Sequence, residues 1–576
     1  MKRLARLLGV LATALMLPFI SAPVNLHWLH WVAFLPLFWA LRDLPLKSAI
    51  RWAYLCGWVA NLVIFWWLIE TVQRFSNLPW LAALAVHLLA TTAFSLSYGL
   101  LGLMPWSRQR LGRLWMLALP LAVVAGEQAF PVLFPYYQGV SQYRVSWVFQ
   151  LASVTGVMGV SFLIMLVNSV LAELSFDLAA RRRPPWAALA ATSALFMANL
   201  GFGAWRHATI HAELQQAPLL RAAILQQGVK MEQRLSESPW EAFFEWTRLT
   251  RLALDDKPDL VVWPEGAIAF NPIEPGTFAQ LRESQLRRLL DRLIEIRGNN
   301  LMSWPDDAGT MSPRNPKLVE ALAQKSIANV FEDYAHIGGF DLLIGGGTIE
   351  DNPHPGPGEP DYIAHNSLYV FDEQGTIEGR YDKMVPLPFG EYIPLSHTFP
   401  WLRELVQGPG DFQAGDHPAF FSVKTAQGQD LIYTTPICYE AILQPTMRRL
   451  AGGDTPQTTA DFFVNITNDA WFGDTASPHQ HAMLTAVQTL QLGRPELRLA
   501  YTGVSWVVEP DGDILYETEP FTTVAEVVDM RVKRYHTIYS RGGWLFGWLC
   551  VAGTVGMVVL GRHRGTAAPP VSPAAA

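Results

Sequence analysis

The chain has 576 residues, of which 50% are hydrophobic and only 16% are charged, and its mean hydropathy is positive. Soluble domains usually carry about a quarter charged residues, so we expect part of this chain to lie in lipid. The net charge of -7, and the lack of a basic stripe interleaved with aromatic residues, argue against a nucleic-acid partner.

Long apolar runs fill residues 1–207, and a spanning helix needs about 20 mostly apolar residues. Seven such segments precede the globular part and one follows it: Leu4–Ala22, His27–Leu41 (a short one), Ala53–Val72, Pro79–Trp106, Leu114–Leu133, Val148–Leu174, Pro185–Trp205 and Trp544–Leu560. The predicted organisation is a seven-helix transmembrane domain over 1–207, a globular domain over 208–536, a transmembrane helix over 544–561 and a disordered tail over 565–576.

Arginine and lysine accumulate on the cytoplasmic side of membrane spans, so they predict the orientation of the chain. They cluster at Lys2, Arg3 and Arg6, at Arg42, Lys47 and Arg51, at Arg108, Arg110 and Arg113, at Arg181 to Arg183, and at Arg562 and Arg564. All clusters fall on one side if seven spans precede the globular domain, which places that domain outside the cytoplasm. Met1 to Ala22 also resembles a cleaved secretory signal, but no small-x-small cleavage pattern ends it.

The globular domain begins with a predicted strand, Arg221–Gln227, and a predicted helix, Trp240–Leu254. A second strand, Asp259–Trp263, leads into Pro264 and Glu265. Ligands bind at the carboxyl edge of open α/β sheets, where a partly desolvated carboxylate suits a general base. The alternative is that Glu265 is a surface residue in a turn.

Helices are predicted at Phe278–Arg297 and Lys317–Ala335, and a strand at Asp341–Ile344. A hairpin of Ser367–Phe371 and Thr376–Tyr381 then delivers Lys383, which is followed by a Pro/Gly-rich loop that contains Glu391. A lysine fixed in this way can stabilise an oxyanion or lower the pKa of a nearby thiol. The alternative is a solvated lysine at the end of a hairpin.

Cys438 lies on the predicted turn between a strand, Asp430–Ile437, and a helix, Glu440–Met447. The partial positive charge at a helix N-terminus favours thiolate over thiol, so Cys438 is a candidate nucleophile. The alternative is a small buried core residue. Cys438 is also the one cysteine outside the apolar segments, and no Cys/His metal spacing occurs, so the sequence predicts no disulfide, metal or cofactor.

Beyond Cys438 the sequence predicts a strand at Phe462–Ile466, a helix at His479–Leu492 and a strand at Ala500–Val508. This alternation of strands and helices, with several hairpins, favours a layered α/β sandwich. Base, cation and nucleophile each follow an apolar strand, and acyl transfer through a thioester needs these three roles.

Four motifs resemble the nitrilase superfamily, and in particular its membrane-bound branch, the apolipoprotein N-acyltransferases. They are Pro264-Glu265, Tyr381-Asp382-Lys383 with Pro388-Phe389-Gly390-Glu391, Ile437-Cys438-Tyr439-Glu440, and Asn465 to Gly473. The resemblance covers nearly the whole chain, because that branch also has seven spans, an external nitrilase-like domain and a final span. It implies a multi-pass α-helical membrane bundle joined to a nitrilase-like αββα sandwich.

The resemblance implies that Cys438 takes an acyl chain from a membrane phospholipid as a thioester and passes it to the amino group of the diacylglyceryl cysteine that begins a lipoprotein. Glu265 would be the general base, Lys383 would stabilise the oxyanion, Glu391 and Glu440 would position these groups, and Tyr439 would flank the nucleophile. No metal or nucleotide is implied. The expected location is the bacterial inner membrane, with the catalytic domain on the periplasmic face, and we expect a monomer.

Two other functions fit part of this pattern. A membrane-tethered nitrilase-type amidase would use the same three residues and pass the acyl group to water, although a simple hydrolase needs only one anchor. A non-enzymatic scaffold with a degenerate domain is the other alternative, and it would hold the three side chains apart rather than within about 3 to 5 Å.

Overall fold

The computed structural model describes residues 2–76, 78–130, 132–236, 239–268, 331, 335, 338–353, 362–396, 398–399, 412–452 and 459–566. The predicted helix Phe278–Arg297 lies outside the described residues, as does Lys317–Ala335 except for Phe331 and Ala335. Residues 567–576 of the predicted tail also lie outside them, whereas the first two residues of that tail belong to the last helix.

The membrane part is built from helices before and after the globular domain. Its α-helices are α1 (Lys2–Ile20), α2 (Leu35–Leu41), α3 (Leu46–Ile64), α4 (Leu68–Ser76), α5 (Trp80–Phe94), α6 (Met104–Leu111), α7 (Trp115–Ala129), α8 (Ser146–Phe149), α9 (Ala152–Thr155), α10 (Val157–Ala179), α11 (Trp186–Leu214), α16 (Ile538–Arg541) and α17 (Phe546–Thr566). Short 3-10 helices join them at His27–Trp31, Ser95–Leu103, Gly112–Leu114, Gln138–Gln142 and Gly543–Leu545.

Five helices among the described residues are long and apolar enough to cross a membrane, and the pair α3–α4, bent by 58°, would make six. One of the five, Trp80–Ala129, has 50 residues, and about 1.5 Å per residue makes it more than twice as long as the roughly 30 Å hydrocarbon core. It folds back on itself, because Gly126 of α7 packs against Ser97 and Leu100. It therefore contains two of the predicted spans, and the count of seven spans before the globular domain stays a prediction.

Three of the basic clusters lie together at one end of the helix bundle. Arg42 and Arg108 both lie over the ring of Phe176, with the guanidinium carbons 5.9 and 5.1 Å from the ring centroid. Arg113 donates a hydrogen bond of 2.6 Å to the carbonyl oxygen of Arg183. The turns between α2 and α3, α6 and α7, and α10 and α11 thus share one side of the bundle.

The globular domain contains two six-stranded sheets, in the orders β12-β1-β2-β3-β4-β5 and β11-β10-β9-β8-β7-β6. Their strands are β1 (Leu219–Gln226), β2 (Leu260–Ile268), β3 (Asp341–Asp351), β4 (Tyr362–Phe371), β5 (Ile377–Asp382), β6 (Phe421–Lys424), β7 (Asp430–Thr434), β8 (Phe462–Thr467), β9 (Glu496–Ala500), β10 (Trp506–Val508), β11 (Ile514–Glu517) and β12 (Val524–Arg531). Strands β1 to β3 are parallel to one another, as are β7 to β9, and the outer pairs are antiparallel.

The α-helices of this domain are α12 (Met231–Ser236), α13 (Pro239–Leu254), α14 (Gln444–Leu450) and α15 (Ser477–Leu492). Alternate residues of β2 face opposite sides, as the period of a strand requires. Val261 and Trp263 pack with α13, where Trp246 stacks on Trp263 at 6.1 Å between ring centroids. Leu260 and Val262 instead belong to one apolar cluster with side chains of the second sheet and of α15. The layers run helix, sheet, sheet, helix, so the predicted αββα sandwich is confirmed.

The prediction of one strand over Ala500–Val508 was wrong. The chain forms β9 and β10 instead, which pair antiparallel around a turn at Tyr501 to Ser505. Gly503 lies in this turn directly against the carboxylate of Asp469, where a Cβ atom would clash. Strand propensity alone gave a continuous strand, but this close approach of a buried carboxylate requires the chain to turn.

Candidate active site

The sequence predicted that Glu265 lies just past the end of β2. The residue lies inside this strand instead. The pairing of β2 with β3 is interrupted between Trp263 and Ile268, because Pro264 has no N–H to donate and Gly266 has a positive φ of 65°. A Cβ atom at Gly345 of β3 would lie 2.8 Å from the Cα atom of Glu265. The irregular strand and the facing glycine together turn the Glu265 side chain into the site.

Lys383 directly follows β5 and is almost fully buried, with 1% of the residue exposed. Its Nζ atom lies 2.8 Å from Oε2 of Glu391 and 3.5 Å from Oε1 of Glu265. Burial alone would lower the pKa of Lys383, but the carboxylates of Glu391 and Glu265 outweigh it and raise the pKa above the ordinary value. Lys383 is therefore a fixed ammonium group at neutral pH.

Cys438 opens a 3-10 helix, Cys438–Ile442, and has a φ of +53°, a conformation that non-glycine residues rarely adopt. The strand before it ends at Thr434, and α14 begins only at Gln444, so no α-helix starts at the sulfur. Burial raises the pKa of the Cys438 thiol and the Glu265 carboxylate raises it further, while Lys383 lowers it by less. The expectation that Cys438 rests as a thiolate is thus corrected: the resting group is a thiol, and a base must remove its proton.

Glu440 ties the turn that carries Cys438 to the segment that carries Lys383. Its Oε1 atom accepts hydrogen bonds from the hydroxyl of Tyr381 at 2.6 Å and from the N–H of Ile437 at 2.8 Å. Its Oε2 atom accepts from the N–H groups of Met384 at 3.0 Å and Val385 at 3.3 Å. Burial raises the pKa of Glu440 to about 7, whereas these four donors favour its charged form.

Tyr439 connects the same turn to the membrane domain. Its hydroxyl donates a hydrogen bond of 2.8 Å to the carbonyl oxygen of Leu133. Its ring makes an edge contact with Phe134, at 6.2 Å between centroids. Tyr439 therefore follows the nucleophile in the chain and connects it to Leu133 and Phe134 of the membrane domain.

Two asparagines that the sequence analysis gave no role hold the acidic groups. The Nδ2 atom of Asn366 donates hydrogen bonds of 2.6 Å to Oε1 of Glu265 and to Oε1 of Glu391. The N–H of Asn468 donates to Oε2 of Glu265 at 2.8 Å. Asn468 belongs to a motif that the sequence analysis noted after β8. Asn366 lies inside β4, where nothing in the sequence distinguishes it from a pairing residue.

The structure brings the three candidate catalytic side chains together. Glu265, Asn366, Lys383, Glu391 and Cys438 line one cavity of about 410 Å³. A base, a cation and a thiol that share a cavity can carry out acyl transfer through a thioester. Lys383 lies 3.5 Å from Glu265, and Cys438 lines the same cavity, which favours an enzyme over a degenerate scaffold.

A second, small pocket lies on another side of Cys438 and is walled largely by apolar side chains. Phe65, Trp67, Phe134 and Tyr136 of the membrane domain contribute to its wall. Trp67 follows the bend between α3 and α4, and its ring packs edge-on against Phe134 at 5.4 Å between centroids. Cys438 thus lines both the cavity that holds the charged groups and a small apolar pocket that membrane-domain residues help to build.

Two family models match the two parts of the chain. The apolipoprotein N-acyltransferase N-terminal domain matches residues 13–170, and the carbon-nitrogen hydrolase domain matches residues 338–535. An apolipoprotein N-acyltransferase from Rhizobium meliloti is 30% identical over 527 residues, which is 88% of this chain and 83% of that protein. The chain belongs to the apolipoprotein N-acyltransferase family.

Other relatives extend over a similar share of the chain. The apolipoprotein N-acyltransferase from Geobacter metallireducens is 27% identical over 546 residues, which is 93% of this chain and 91% of that protein. Together with the apolar helices, these relatives identify a bacterial membrane protein. Among solved structures, an amidase from Nesterenkonia sp. covers 56% of this chain and 92% of its own, with 16% identity and a TM-score of 0.33.

Proposed function

We propose that this acyltransferase moves an acyl chain from a membrane phospholipid, through a thioester on Cys438, to the N-terminal amino group of a diacylglyceryl cysteine in apolipoproteins. Family membership supports N-acylation of lipoproteins at a membrane. The observation that carries the mechanism is the position of Cys438, which lines both the cavity with Glu265 and Lys383 and the apolar pocket next to the membrane domain.

In the first half-reaction Glu265 takes the thiol proton and the sulfur attacks the ester carbonyl carbon of the phospholipid. Lys383, a buried ammonium group, stabilises the negative charge that develops on the carbonyl oxygen. The carbon–oxygen bond of the ester then breaks, and Glu265 returns its proton to the departing alkoxide. A lysophospholipid leaves, and the acyl chain stays on Cys438.

In the second half-reaction the α-amino group of the acceptor attacks the thioester carbonyl. Glu265, now a carboxylate again, accepts a proton from the attacking nitrogen, and the same ammonium group of Lys383 stabilises the oxyanion. The carbon–sulfur bond breaks, the Cys438 sulfur regains the proton, and an amide remains on the acceptor. Because the thioester keeps the acyl group reactive, the two half-reactions need no nucleotide.

The side chains around the small pocket beside Cys438 support a donor with an acyl chain, because they are largely apolar and several come from the membrane domain. The bend of 58° between α3 and α4 brings Trp67 up against Phe472 of the catalytic domain, at 5.4 Å between ring centroids. Gln480 of α15 accepts a hydrogen bond of 3.0 Å from the indole N–H of Trp67. An acyl chain that reached Cys438 from this side would thus pass along side chains of the membrane domain.

The catalytic domain lies on the periplasmic side of the inner membrane in this proposal. The basic clusters gather at one end of the helix bundle, through Arg42, Arg108, Arg113 and Arg183. The catalytic domain contacts the other end through Tyr439 and Leu133. The positive-inside rule then puts the basic end in the cytoplasm. A monomer suffices, since one chain supplies every side chain of the mechanism.

Mass spectrometry of lipoprotein N-termini, from cells with and without this protein, tests the transfer. We expect a third acyl chain that disappears with the protein and returns with the wild-type chain, but not with Cys438→Ala. A third chain that persists when no other acyltransferase is present would contradict the proposal. Hydrolysis of a small amide by the purified protein, with no acyl chain added to the lipoprotein, would instead identify the amidase.

A further inference from the structure

A second cluster of titratable side chains lies at the junction of the two domains, away from Cys438. His207 and His211 stand one turn apart on α11, and their rings stack with centroids 6.1 Å apart. Facing them is the turn between β10 and β11, which contributes Glu509, Asp511 and Asp513. The family mechanism uses none of these five residues.

The distances between the possible ligand atoms are close to those of a metal site. The Nε2 atom of His207 lies 3.0 Å from Oδ2 of Asp513 and 3.9 Å from Oδ2 of Asp511. The Nδ1 atom of His211 lies 3.5 Å from the same oxygen of Asp511. Four ligands at about 2.0 to 2.2 Å from a tetrahedral Zn²⁺ lie roughly 3.3 to 3.6 Å from one another. The possible ligand atoms form two overlapping groups, His207 with Asp511 and Asp513, and His211 with Glu509 and Asp511, and within each group they lie within 4.8 Å of one another.

Asp511 points to a ligand independently of this spacing. It is completely buried, and among the described residues its Oδ2 atom has no hydrogen-bond partner. Two other oxygens of Asp511 do have hydrogen-bond donors. Its Oδ1 atom accepts from the N–H of Asp513 at 3.1 Å, and its backbone carbonyl oxygen accepts from Nε2 of Gln150 at 2.6 Å. A buried carboxylate oxygen left without a partner is costly, and this one is directed at two imidazole nitrogens.

The charges of the cluster also favour a cation. Three carboxylates face two imidazoles, which are neutral when they act as metal ligands. Ser146 donates a hydrogen bond of 2.7 Å to Oδ1 of Asp513, and this contact orients the other oxygen toward His207. The His211 side chain is 53% exposed, so an ion has a path from solvent.

We propose that His207, His211, Asp511 and Asp513 bind one divalent transition-metal ion of the Zn²⁺ type. The ion would join the last turns of α11, which leads directly into β1, to the turn between β10 and β11. It would thereby fix the catalytic domain over the membrane helices. No Cys/His spacing in the sequence predicts this site, because its ligands come from segments that are distant in the chain.

Calorimetric titration of the full-length protein in detergent, stripped with a chelator, tests the site with Zn²⁺ as the probe. We expect one equivalent to bind, and His207→Ala and Asp511→Asn to weaken that binding by at least about 10-fold. His536→Ala is the matched control, since this histidine is exposed and lies outside the cluster. Co²⁺ should give the visible absorption of a tetrahedral site in the wild type and the control only.

The opposite results would overturn the site. They are a wild type that takes up no Zn²⁺, or variants that bind it as well as the control does. A melting temperature that Zn²⁺ leaves unchanged would show that His207 and Asp513 form a hydrogen bond only. If Asp511→Asn does not fold, His211→Ala carries the test, because its side chain is half exposed. These readouts do not depend on acyl transfer, so they succeed or fail separately from the proposed function.

Discussion

Cys438 combines a strained backbone with a buried sulfur. Its positive φ of 53° costs about 1–3 kcal/mol, which Glu440 offsets by accepting hydrogen bonds from both sides of the turn. Burial disfavours the thiolate, so the sulfur becomes reactive when a substrate and Glu265 are both in place. This arrangement protects the resting sulfur from oxidation, because the thiolate is the form that oxidises.

The protonated resting thiol gives a testable pH dependence. Because burial raises the pKa of Cys438, we expect its alkylation by a small iodoacetamide to keep accelerating above about pH 9. Lys383→Met should slow alkylation at every pH, since the ammonium group lowers the pKa of the thiol. The rate is measured by mass spectrometry of the Cys438 peptide. A wild-type rate that reaches its plateau below pH 7 would show a resting thiolate.

Asn366 is a positioning residue in this account. It donates to both Glu265 and Glu391, so Asn366→Ala should leave the two carboxylates less well oriented and slow thioester formation by about 10-fold. Asn366→Asp should be slower still, because a third carboxylate would repel the other two. The measurement is the rate of acyl-enzyme formation across a range of pH. Equal rates in both variants and the wild type would remove Asn366 from the site.

The candidate catalytic residues could be found from the sequence, but the residues that position them could not. Glu265, Lys383 and Cys438 lie near the ends of apolar strands, and hydrophobic patterning alone marks such polar side chains as candidate site residues. Asn366 lies within β4, and its role depends on a carboxylate that is distant in the chain. The protonation state of the resting Cys438 thiol could not be predicted from the sequence either, because it depends on how deeply the folded protein buries the sulfur.

The second sheet is held in place by buried polar groups as well as by apolar packing. Asp469, just after β8, accepts from Arg498 of β9 at 2.9 Å and lies 2.8 Å from Nδ1 of His481 of α15. Neither Asp469 nor Arg498 has any exposed surface. This ion pair connects the second sheet to the helix that covers it.

Removing one partner of that pair should destabilise the fold. Burial raises the pKa of Asp469, but Arg498 and His481 outweigh it and the net pKa is lowered, so its stabilising charge is present at neutral pH and is lost only in acid. We expect Asp469→Asn to cost about 3–5 kcal/mol, because it leaves a buried guanidinium uncompensated. Thermal unfolding in detergent measures this loss.

Asp529→Asn is the control for that prediction. It breaks an exposed pair with Arg221 at 3.4 Å, and exposed pairs contribute about 0–1 kcal/mol. Its melting temperature should stay close to that of the wild type. If the two variants have the same melting temperature, the buried pair is not important for the stability of the fold.

The elements themselves were largely predictable, and the errors have physical causes. Apolar, β-branched runs predicted β1, β2, β7 and β8, because strands buried on both faces have few polar interruptions. The boundaries failed where a tertiary contact decides them. Gly503 turns the chain against Asp469, and β2 continues past Pro264 because β3 offers a glycine opposite it. The edge strands β6, β11 and β12 were not predicted at all.

At the scale of the whole molecule, the catalytic domain and the membrane domain act together. Phe65, Trp67 and Phe134 from the membrane domain help to wall the pocket beside Cys438, and Tyr439 binds back to Leu133. Hydropathy could place the apolar segments but could not reveal this contact. It also treated Ala53 to Val72 as one straight span, whereas the bend after α3 delivers Trp67 to the site.

The orientation can be measured with a membrane-impermeant maleimide in intact spheroplasts. Gln374→Cys adds a thiol to an exposed turn of the catalytic domain, and Arg182→Cys adds one at the basic end of the bundle. The three native cysteines are buried, so the background should be low. We expect Gln374→Cys to react in intact spheroplasts and Arg182→Cys to react only after permeabilisation. The reverse pattern would place the catalytic domain in the cytoplasm.

The central claim is that the Cys438 sulfur carries the acyl chain between donor and acceptor. The most direct measurement is the intact mass of the purified protein after incubation with phospholipid, with and without a diacylglyceryl peptide. We expect a gain of one acyl chain on Cys438, removable by hydroxylamine and by the peptide, absent in Cys438→Ala and present in the control Cys550→Ala. No acyl gain in the wild type, or an equal gain in Cys438→Ala, would contradict the account.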